Sequence, residues 1–315
     1  MRNLKIVFMG TPDFAVTTLK TLVENNYNIV GVITAPDKPA GRGRKLNESA
    51  VKQYAKSAGL NILQPTNLKN DDFIDELEAL KANLQIVVAF RMLPKVVWQM
   101  PKYGTFNLHA SLLPNYRGAA PINWAIINGE TKTGVSTFFI DEKIDTGEMI
   151  LQEEIQIDSE ENAGSLHDKL MSVGSKLVLK TVSLIEQDKV KTRPQIDSND
   201  IKTAYKLNKD NCKINWNDSL INIYNKIRGL SPYPAAWSTL INGGEELSIK
   251  IYKAEKESMS HSLNTGVVIC NKKELKVATP NGYIIIKEIK LPGKRTMDVK
   301  SLLNGYTFSA NAKML

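Results

Sequence analysis

Short apolar runs alternate with amphipathic segments through the first half of the chain, and short β-prone runs follow one another in the last third. The first pattern is typical of a mostly parallel sheet with helices on both faces, and the second of a small β-barrel. At 315 residues the chain is long for a single domain. The sequence therefore predicts an α/β fold, with an N-terminal Rossmann-like sheet domain and a small C-terminal barrel of the OB-like type.

The predicted elements of the first half follow the order of βαβ units. The opening apolar run is too short for the core of a signal peptide, so we interpret it as the first strand. Strands are predicted over residues 4–10, 29–34, 84–90, 104–109 and 134–140. Helices are predicted over residues 14–25, 49–58 and 163–186.

Residues 188–208 interrupt this pattern, because they are rich in charged residues, proline and asparagine and have few apolar positions. Beyond them we expect a helix over 219–228, with Asp218 as its N-cap. Strands are predicted over 247–254, 266–270, 275–278 and 283–289, between Asn-Gly and Gly-Gly turns. We therefore place a first domain at residues 1–189, a linker at 190–208 and a barrel domain at 209–315.

The positive charge of the chain is concentrated in its last third. Residues 209–315 contain 16 lysines and arginines against 9 aspartates and glutamates, a net charge of +7, whereas the rest of the chain has 25 against 24, or +1. A basic module beside a nearly neutral one suits a polyanion, and nucleic acid is the commonest such partner. On composition alone, a solvated lysine-rich surface is an equally good interpretation.

Composition and motifs exclude several classes of protein. No apolar run approaches the roughly 20 residues that span a bilayer, so we expect no membrane contact and a cytoplasmic location. Cys212 and Cys270 lack metal-binding spacing, and we expect neither a disulfide nor a metal site. The first βα turn, residues 10–14, lacks the spaced glycines of a dinucleotide site, and no phosphate-binding loop of the Gly-x-x-x-x-Gly-Lys type occurs.

Three polar side chains predict the chemistry of the first domain. Asn107 and His109 are two residues apart near the end of a predicted strand, so both side chains point to the same side. Asp145 follows a second β-rich run, on a turn containing Gly147, where a carboxylate can hold and polarise an imidazole. An amide, an imidazole and a carboxylate at the ligand-binding edge of a parallel sheet are the groups that acyl transfer requires.

Four segments together resemble the methionyl-tRNA formyltransferases, and the resemblance spans nearly the whole chain. They are Val-Phe-Met-Gly-Thr-Pro-Asp-Phe-Ala at 7–15, Asn-x-His with Ser-Leu-Leu-Pro-x-Tyr-Arg-Gly at 107–118, Asp-Thr-Gly at 145–147 and Ile-Arg-Gly-Leu-Ser-Pro-Tyr-Pro at 227–234. The second segment alone is shared with other enzymes that use 10-formyltetrahydrofolate, such as glycinamide ribonucleotide formyltransferase. One departure is Phe90-Arg91, where the family often has Tyr-Gly beside the folate pocket.

The resemblance implies a reaction and the residues that carry it out. A formyl group passes from 10-formyltetrahydrofolate to the free amino group of initiator methionyl-tRNA, without a metal ion. Asn107 and His109 donate to the developing oxyanion, while Asp145 pairs with the protonated imidazole and helps to move the proton. The implied folate-binding residues are Val88, Phe90, Ser111, Leu112, Leu113 and Pro114.

A basic loop at residues 35–46 provides the predicted contact with tRNA. It holds four cations among glycines and prolines, and it follows the carboxyl end of a predicted parallel strand, so it overhangs the ligand-binding edge. A mobile solvated loop is the alternative. The resemblance implies that phosphates of the acceptor stem are bound by Lys38, Arg42, Arg44 and Lys45. Barrel lysines are expected to add diffuse phosphate contacts, namely Lys250, Lys253, Lys287 and Lys290.

Other features allow more than one interpretation. Arg117 either is a structural cation that pairs with a loop carboxylate, which we favour slightly, or contacts a substrate phosphate. Residues 232–237 are predicted to form a structural corner in which Tyr233 and Trp237 cover apolar surface. We expect a monomer. The alternative functions are a formyltransferase or formyl-folate hydrolase that acts on a small-molecule amine or water, and a non-catalytic RNA-binding protein, which the intact set of three polar residues argues against.

Overall fold

The computed structural model describes residues 1–40, 45–196, 198 and 200–315. The chain divides into two compact units, each assembled from several segments. The first contains Met1–Gly118, Thr133–Ile155 and His167–Thr203, and the second contains Ala119–Lys132, Gln156–Leu166 and Ala204–Leu315. The second unit therefore takes two segments from within residues 1–189, the predicted first domain. The simple boundaries at residues 189 and 209 stay a prediction.

Strands and helices follow one another closely along the chain up to residue 186. In chain order they are β1 (Ile6–Gly10), α1 (Asp13–Glu24), β2 (Ile29–Ile33), β3 (Lys38–Ala40), β4 (Lys45–Asn47), α2 (Ala50–Ser57), β5 (Ile62–Leu63), α3 (Asp71–Ala79), β6 (Leu84–Val88), α4 (Lys95–Trp98), β7 (Thr105–His109), β8 (Arg117–Gly118), α5 (Pro121–Ile127), β9 (Lys132–Phe139), β10 (Met149–Gln156) and α6 (Ala163–Glu186). The sequence predicts the bounds of α6 correctly, whereas it misses α3, α4, α5 and β10.

A seven-stranded sheet in the order β10-β9-β7-β6-β1-β2-β5 forms the centre of the first unit. The strands from β7 to β5 pair in parallel, and β9 joins β7 antiparallel. The register sets Gly10 opposite Val88 and Val88 opposite Leu108, so the carboxyl ends of β1, β6 and β7 lie side by side. The predicted, mostly parallel sheet is confirmed, and β7 ends at the edge where such sheets bind ligands.

Apolar packing fixes which side of β7 faces the core. All residues of β1 and β6 are buried, as expected of parallel strands covered on both faces. Helix α6 comes so close to β7 that a Cβ on Gly174 would lie 2.9 Å from the Leu108 side chain. Because side chains alternate along a strand, Asn107 and His109 point away from this contact.

The remaining elements, in chain order, belong mainly to the barrel. They are β11 (Thr203–Ala204), α7 (Leu220–Gly229), β12 (Ala236–Asn242), β13 (Glu245–Ser258), β14 (Val268–Cys270), β15 (Leu275–Thr279), β16 (Gly282–Lys290), β17 (Met297–Asp298), α8 (Val299–Leu303) and β18 (Lys313–Met314). Strand β12 and helix α8 were not predicted from the sequence. Within the described residues, no helix is both long and apolar enough to cross a membrane.

The second sheet follows the order β14-β15-β16-β13-β12-β18, with β17 paired to β16. Main-chain hydrogen bonds join the two ends of this order. Met314 donates to the Gly266 carbonyl over 2.8 Å, and Val268 donates to the Ala312 carbonyl over 3.1 Å. The predicted small antiparallel barrel is therefore confirmed, and its interior is filled by fully buried side chains, among them Ile249, Ile251, Val277, Ile284 and Ile289.

Two helices of the second unit approach each other closely. A Cβ on Gly229 would lie 2.7 Å from the Ile127 side chain and 3.1 Å from the Asn123 carbonyl oxygen, so α7 needs a glycine there. The Asn123 amide also donates to the Gly229 carbonyl over 2.8 Å. These contacts attach α5 to α7, although some 100 residues separate them in sequence.

Two predictions in the second unit are wrong. The N-cap of α7 is Ser219, whose hydroxyl accepts from the Asn222 amide over 3.2 Å, whereas Asp218 accepts from the Ser219 amide one residue earlier. Tyr233 is 82% exposed and does not cover apolar surface. Trp237, by contrast, packs against the barrel core.

Candidate active site

Asn107 and His109 lie on β7 at the carboxyl edge of the first sheet. Their backbone is fixed from both sides, because β7 pairs with β6 on one side and with β9 on the other. Asn107 is half-buried and His109 is only 7% exposed. The strand thus places an amide and an imidazole on one side of the sheet edge, as the sequence predicts.

Asp145 lies on the turn between β9 and β10. Its φ of 55° is in the left-handed region, which Asp tolerates better than most residues. Two residues later the turn comes so close to β9 that a Cβ on Gly147 would lie 1.7 Å from the Phe139 carbonyl oxygen. Only glycine fits there, and this contact holds the turn against the end of β9.

The Asp145 carboxylate lies beside the His109 imidazole. Asp145 Oδ2 is 3.8 Å from His109 Nδ1, a distance that permits charge pairing but is longer than a hydrogen bond. The same oxygen accepts a hydrogen bond of 2.9 Å from the Gly118 amide. Because the two side chains are only 8% and 15% exposed, solvent screens their interaction weakly.

The second ring nitrogen of His109 has a partner of its own. His109 Nε2 is 2.8 Å from the Tyr116 carbonyl oxygen. Since a carbonyl oxygen only accepts, Nε2 donates its proton to it. The imidazole is therefore oriented by a carbonyl at Nε2 and by a carboxylate near Nδ1.

The Asn107 amide is in a different situation. Its Oδ1 is buried and accepts no hydrogen bond from any described residue. A buried polar atom without a partner costs about 1–3 kcal/mol, and such atoms often mark functional positions. Asn107 Oδ1 is therefore an acceptor that is available to an N–H group of a substrate.

Side-chain hydrogen bonds hold residues 111–114 against β9 and β10. Ser136 Oγ donates to the Ser111 carbonyl over 2.6 Å and accepts from the Leu113 amide over 3.2 Å. Gln152 Nε2 donates to the Leu113 carbonyl over 2.8 Å. The segment is a fixed wall beside the end of β7.

The predicted folate-binding residues differ in exposure. Ser111 and Leu113 are buried, and Val88 is 0% exposed within β6. The half-buried members of the set, whose side chains a ligand can reach, are Phe90, Leu112 and Pro114. Val88 can support such a pocket only from beneath.

An apolar surface that the sequence analysis did not single out flanks the Asp145 turn. Lys95 Nζ binds Glu142 Oε1 over 2.5 Å, which joins α4 to the turn and holds the pKa of Glu142 below its usual value. Exposed apolar side chains lie just before α4, on α4 and on the turn, namely Met92 (71%), Val96 (51%) and Ile144 (58%). In the sequence, this apolar surface could have been found from Ile144, an isoleucine directly before Asp145.

Gln195, in the predicted linker, was also missed. Its Nε2 donates to the carbonyls of Asp145 and Gly147, over 3.0 and 2.9 Å. Its Oε1 accepts from Arg117 Nη2 and Nε, over 2.9 and 3.2 Å. Arg117 thus binds a neutral amide oxygen here, and the predicted pairing with a loop carboxylate stays a prediction. No local motif marks Gln195.

The basic segment 35–46 begins as an anchored hairpin. β3 pairs with β4 antiparallel. The Asp37 carboxylate accepts from Lys52 Nζ on α2 over 2.5 Å and from Gln64 Nε2 over 2.9 Å. These hydrogen bonds lower the pKa of Asp37, and Asp37 in turn raises the pKa of Lys52. The base of the hairpin is therefore fixed to the first unit.

The four cations of this hairpin are described to different extents. Lys38 lies on β3 with its side chain exposed. Arg42 and Arg44 lie outside the described residues, and of Lys45 only the backbone, in β4, is described. Their predicted contact with tRNA stays a prediction.

Two of the four barrel lysines have protein partners. Lys250 Nζ donates to the Pro234 carbonyl over 2.9 Å. Lys287 Nζ lies 2.9 Å from Glu255 Oε2. The predicted phosphate contacts of these two lysines would therefore compete with contacts inside the barrel unit.

Both parts of the chain match families of known proteins. Residues 4–182 match the family described as formyl transferase, and residues 206–307 match the family described as formyl transferase, C-terminal domain. The chain is 64% identical to the methionyl-tRNA formyltransferase of Flavobacterium johnsoniae over 314 residues, with 100% of both chains covered. It is 52% identical to that of Bacteroides fragilis over 317 residues, which cover 99% of this chain and 98% of the relative.

A solved structure shows the same fold at lower identity. The N-formyltransferase of Helicobacter canadensis, in complex with folinic acid and dTDP-3-aminofucose, is similar with a TM-score of 0.64 and 22% identity. The match covers 90% of this chain and 98% of that one. The architecture of this chain is thus shared with that N-formyltransferase.

Proposed function

The chain belongs to the formyl transferase family, and we propose that it transfers a formyl group from 10-formyltetrahydrofolate to the amino group of initiator methionyl-tRNA. The observation that carries this proposal is the full-length identity of 64% and 52% to two methionyl-tRNA formyltransferases. The three polar groups at the edge of the first sheet supply the chemistry that such a transfer requires.

In this proposal Asn107 donates to the oxyanion. The methionine amine attacks the formyl carbon, and negative charge develops on the formyl oxygen. The donor is Asn107 Nδ2, and the pairing of β7 on both sides fixes the backbone that carries it. Loss of one such donor typically slows a reaction ~10²–10³-fold. The unpartnered Oδ1 can accept from an N–H group of the substrate.

His109 can serve as a second donor only by exchanging a partner. Its Nε2 proton is donated to the Tyr116 carbonyl, and its Nδ1 faces Asp145. The formyl oxygen would therefore compete with the Tyr116 carbonyl for the Nε2 proton, while Asp145 stabilises the positive charge on the ring.

Asp145 is the group that we assign to proton transfer. As the bond between the amine nitrogen and the formyl carbon forms, the nitrogen loses a proton, and as the bond from the formyl carbon to N10 breaks, N10 gains one. The Asp145 carboxylate, still 15% exposed, can accept the first proton and deliver the second, directly or through water. The products are formyl-methionyl-tRNA and tetrahydrofolate, with no net change in protons.

The folate would bind between residues 111–114 and the apolar surface beside the Asp145 turn. Main-chain groups of residues 111–114 can form hydrogen bonds with a pterin ring, and apolar side chains can cover the faces of the ring. The side chains available for this are Phe90, Leu112, Pro114, Met92, Val96 and Ile144. Buried Val88, Ser111 and Leu113 would support the pocket from behind.

The acceptor end of the tRNA would contact the anchored hairpin. Lys38, Arg42, Arg44 and Lys45 supply positive charge for its phosphates, with Arg able to make planar bidentate contacts. The barrel adds a net charge of +7 within residues 209–315, which suits contacts with the tRNA backbone.

A comparison of acceptors tests the proposal. The purified chain is incubated with 10-formyltetrahydrofolate and, in separate reactions, with initiator methionyl-tRNA, free methionine, a dTDP-linked amino sugar or buffer alone. Formyl-methionine recovered from the tRNA, at a rate far above product formation in the other reactions, is the expected result. Formylation of the amino sugar, or release of formate in buffer, would support the alternative of a small-molecule formyltransferase or a hydrolase.

A further inference from the structure

We propose that Gln195 is a positioning residue for the reaction, because it holds the Asp145 turn in the conformation that brings the carboxylate to His109. The identity of the reaction in this inference rests on the proposed function. The positioning role of Gln195 rests on its contacts with Arg117 and with the Asp145 turn. Gln195 touches no reacting atom and acts through Asp145.

Each hydrogen-bonding position of the Gln195 side chain is used. A glutamine amide has two N–H donors and one oxygen with two lone pairs. Both donors are directed at the turn, to the carbonyls of Asp145 and Gly147. Both lone pairs accept from the Arg117 guanidinium. Rotation of this amide in either direction would break hydrogen bonds, so its orientation is fixed.

The segment that delivers Gln195 has a defined register. Arg193 exchanges two main-chain hydrogen bonds with Met149 at the start of β10, over 2.8 and 3.0 Å. Thr192 Oγ1 donates to Glu148 Oε2 over 2.5 Å, and Arg193 Nη2 donates to Gln152 Oε1 over 2.5 Å. These hydrogen bonds thus hold residues 192–195 along β10, the strand that follows the turn.

The turn depends on this support for two reasons. Asp145 has a φ of 55°, and residues other than glycine adopt this left-handed conformation less readily than an extended or right-handed helical one. Without Gln195, the carbonyls of Asp145 and Gly147 would lose the donors that hold them. The Gly118 amide and the Gly147 contact with Phe139 would still hold the turn, but with fewer contacts the carboxylate would shift more readily from its place 3.8 Å from His109 Nδ1. Misplacement of a reacting group by about an ångström can slow a reaction ~10²-fold.

Two substitutions of Gln195 and one control separate positioning from general support. Gln195→Ala removes all four hydrogen bonds, whereas Gln195→Glu keeps an acceptor for Arg117 and sets a carboxylate oxygen against the two carbonyls. Gln187→Ala is the matched control, because among the described residues the Gln187 side chain donates to Ser183, one turn earlier in α6, and not to the Asp145 turn. We expect both Gln195 variants to lower the single-turnover rate ~10²-fold, with KM for both substrates within about twofold of wild type. Gln187→Ala should behave as wild type.

The coupling with Asp145 is the readout that a merely structural role would not change. If Gln195 acts through Asp145, then adding Gln195→Ala to Asp145→Asn should lower the rate by less than about threefold, because the group it positions is already lost. Equal losses in both backgrounds would overturn the proposal. So would a wild-type rate for Gln195→Ala, or unfolding of both Gln195 variants, which would make the residue a structural one.

A second measurement does not depend on formylation. The chain has three histidines, so the imidazole nitrogens of His109 can be assigned by nuclear magnetic resonance with His109→Ala as reference. We expect Gln195→Ala to shift these resonances in the same direction as Asp145→Asn, while those of His261 stay unchanged. Unchanged His109 resonances would contradict the proposal even if the enzyme formylates methionyl-tRNA. Shifted resonances in an enzyme that formylates another acceptor would leave Gln195 in its role and reject only the proposed function.

Discussion

The proposed catalytic group of the first unit is built in two different ways. Asn107 and His109 lie on β7, whose backbone is paired on both sides. Leu108, between them on the same strand, packs on α6. Asp145 stands on a turn in the left-handed region, held by the Phe139 contact of Gly147 and by Gln195. The strand is held by its own pairing, whereas the turn is held by contacts with Phe139 and Gln195.

This difference has a consequence for substitutions around the site. A change of side chain on β7 should remove one chemical group and leave the backbone in place. A change at the turn or at its supports should move a carboxylate that is itself intact. The two kinds of loss can be distinguished by measuring rate, affinity and stability separately.

His109→Ala should give the largest effect on the strand side. We expect a rate constant for the chemical step at least ~10²–10³-fold lower, because an electrophilic donor and the partner of Asp145 are both lost. Folate affinity should change little and the fold should be kept, since alanine keeps the main-chain pairs of β7. Loss of the hydrogen bond to the Tyr116 carbonyl should cost about 1–3 kcal/mol in the free energy of unfolding. His261→Ala in the barrel unit is the control. A His109→Ala enzyme with a nearly wild-type single-turnover rate would remove this residue from the catalytic group.

Gly147→Ala probes the turn side without altering a polar group. Its Cβ would lie 1.7 Å from the Phe139 carbonyl oxygen, so the turn has to move and take Asp145 with it. We expect a rate ~10²-fold lower, measured in single turnovers at saturating substrates. Gly305→Ala, where a Cβ meets nothing within 4 Å, is the control. Normal activity in Gly147→Ala would show that the position of the turn does not matter.

Arg42→Leu tests whether the hairpin positions tRNA or only attracts it. If Arg42 orients the acceptor end, the substitution should lower the rate ~10²-fold and reduce discrimination against a tRNA whose first acceptor pair is Watson–Crick paired. A barrel variant with Lys250, Lys253, Lys287 and Lys290 replaced by alanine is the comparison. It should weaken tRNA binding uniformly and flatten its salt dependence. A change of salt slope alone in Arg42→Leu would make the hairpin a passive charged surface.

Ser219→Ala gives the smallest expected effect and no effect on chemistry. Its hydroxyl caps α7, and loss of such a cap costs about 1 kcal/mol in the free energy of unfolding. Denaturant unfolding, with formylation rate measured in parallel, checks this. Asp218→Ala should cost less, because Asp218 is not the N-cap. The reverse order would restore Asp218 as the cap of this helix.

The sequence predicts features that depend on nearby residues. Because side chains alternate along a strand, Asn107 and His109, two positions apart on β7, point to the same side. An Asp-Thr-Gly turn after a β-rich run indicates Asp145. The bounds of α6 follow from apolar spacing, as the structure confirms. In each case the physical cause lies within a few residues of its effect.

Features that depend on distant contacts were missed. Gln195 lies 50 residues from the Asp145 carbonyl that it binds, in a segment whose polar composition looks like a linker. Helix α5 is short, and its Asn123 binds Gly229 across 106 residues. Neither contact leaves a periodic signal in the chain, so both became visible only in the folded structure.

Single-turnover formylation by Asp145→Asn tests the central claim most directly. The substitution keeps the size of the side chain and can still accept from the Gly118 amide, but it removes the charge beside His109. With saturating 10-formyltetrahydrofolate and initiator methionyl-tRNA, we predict a rate constant lower than that of wild type by at least ~10²-fold, with unchanged folate affinity and unfolding midpoint. A rate within about threefold of wild type would contradict the assignment of Asp145 to the catalytic group.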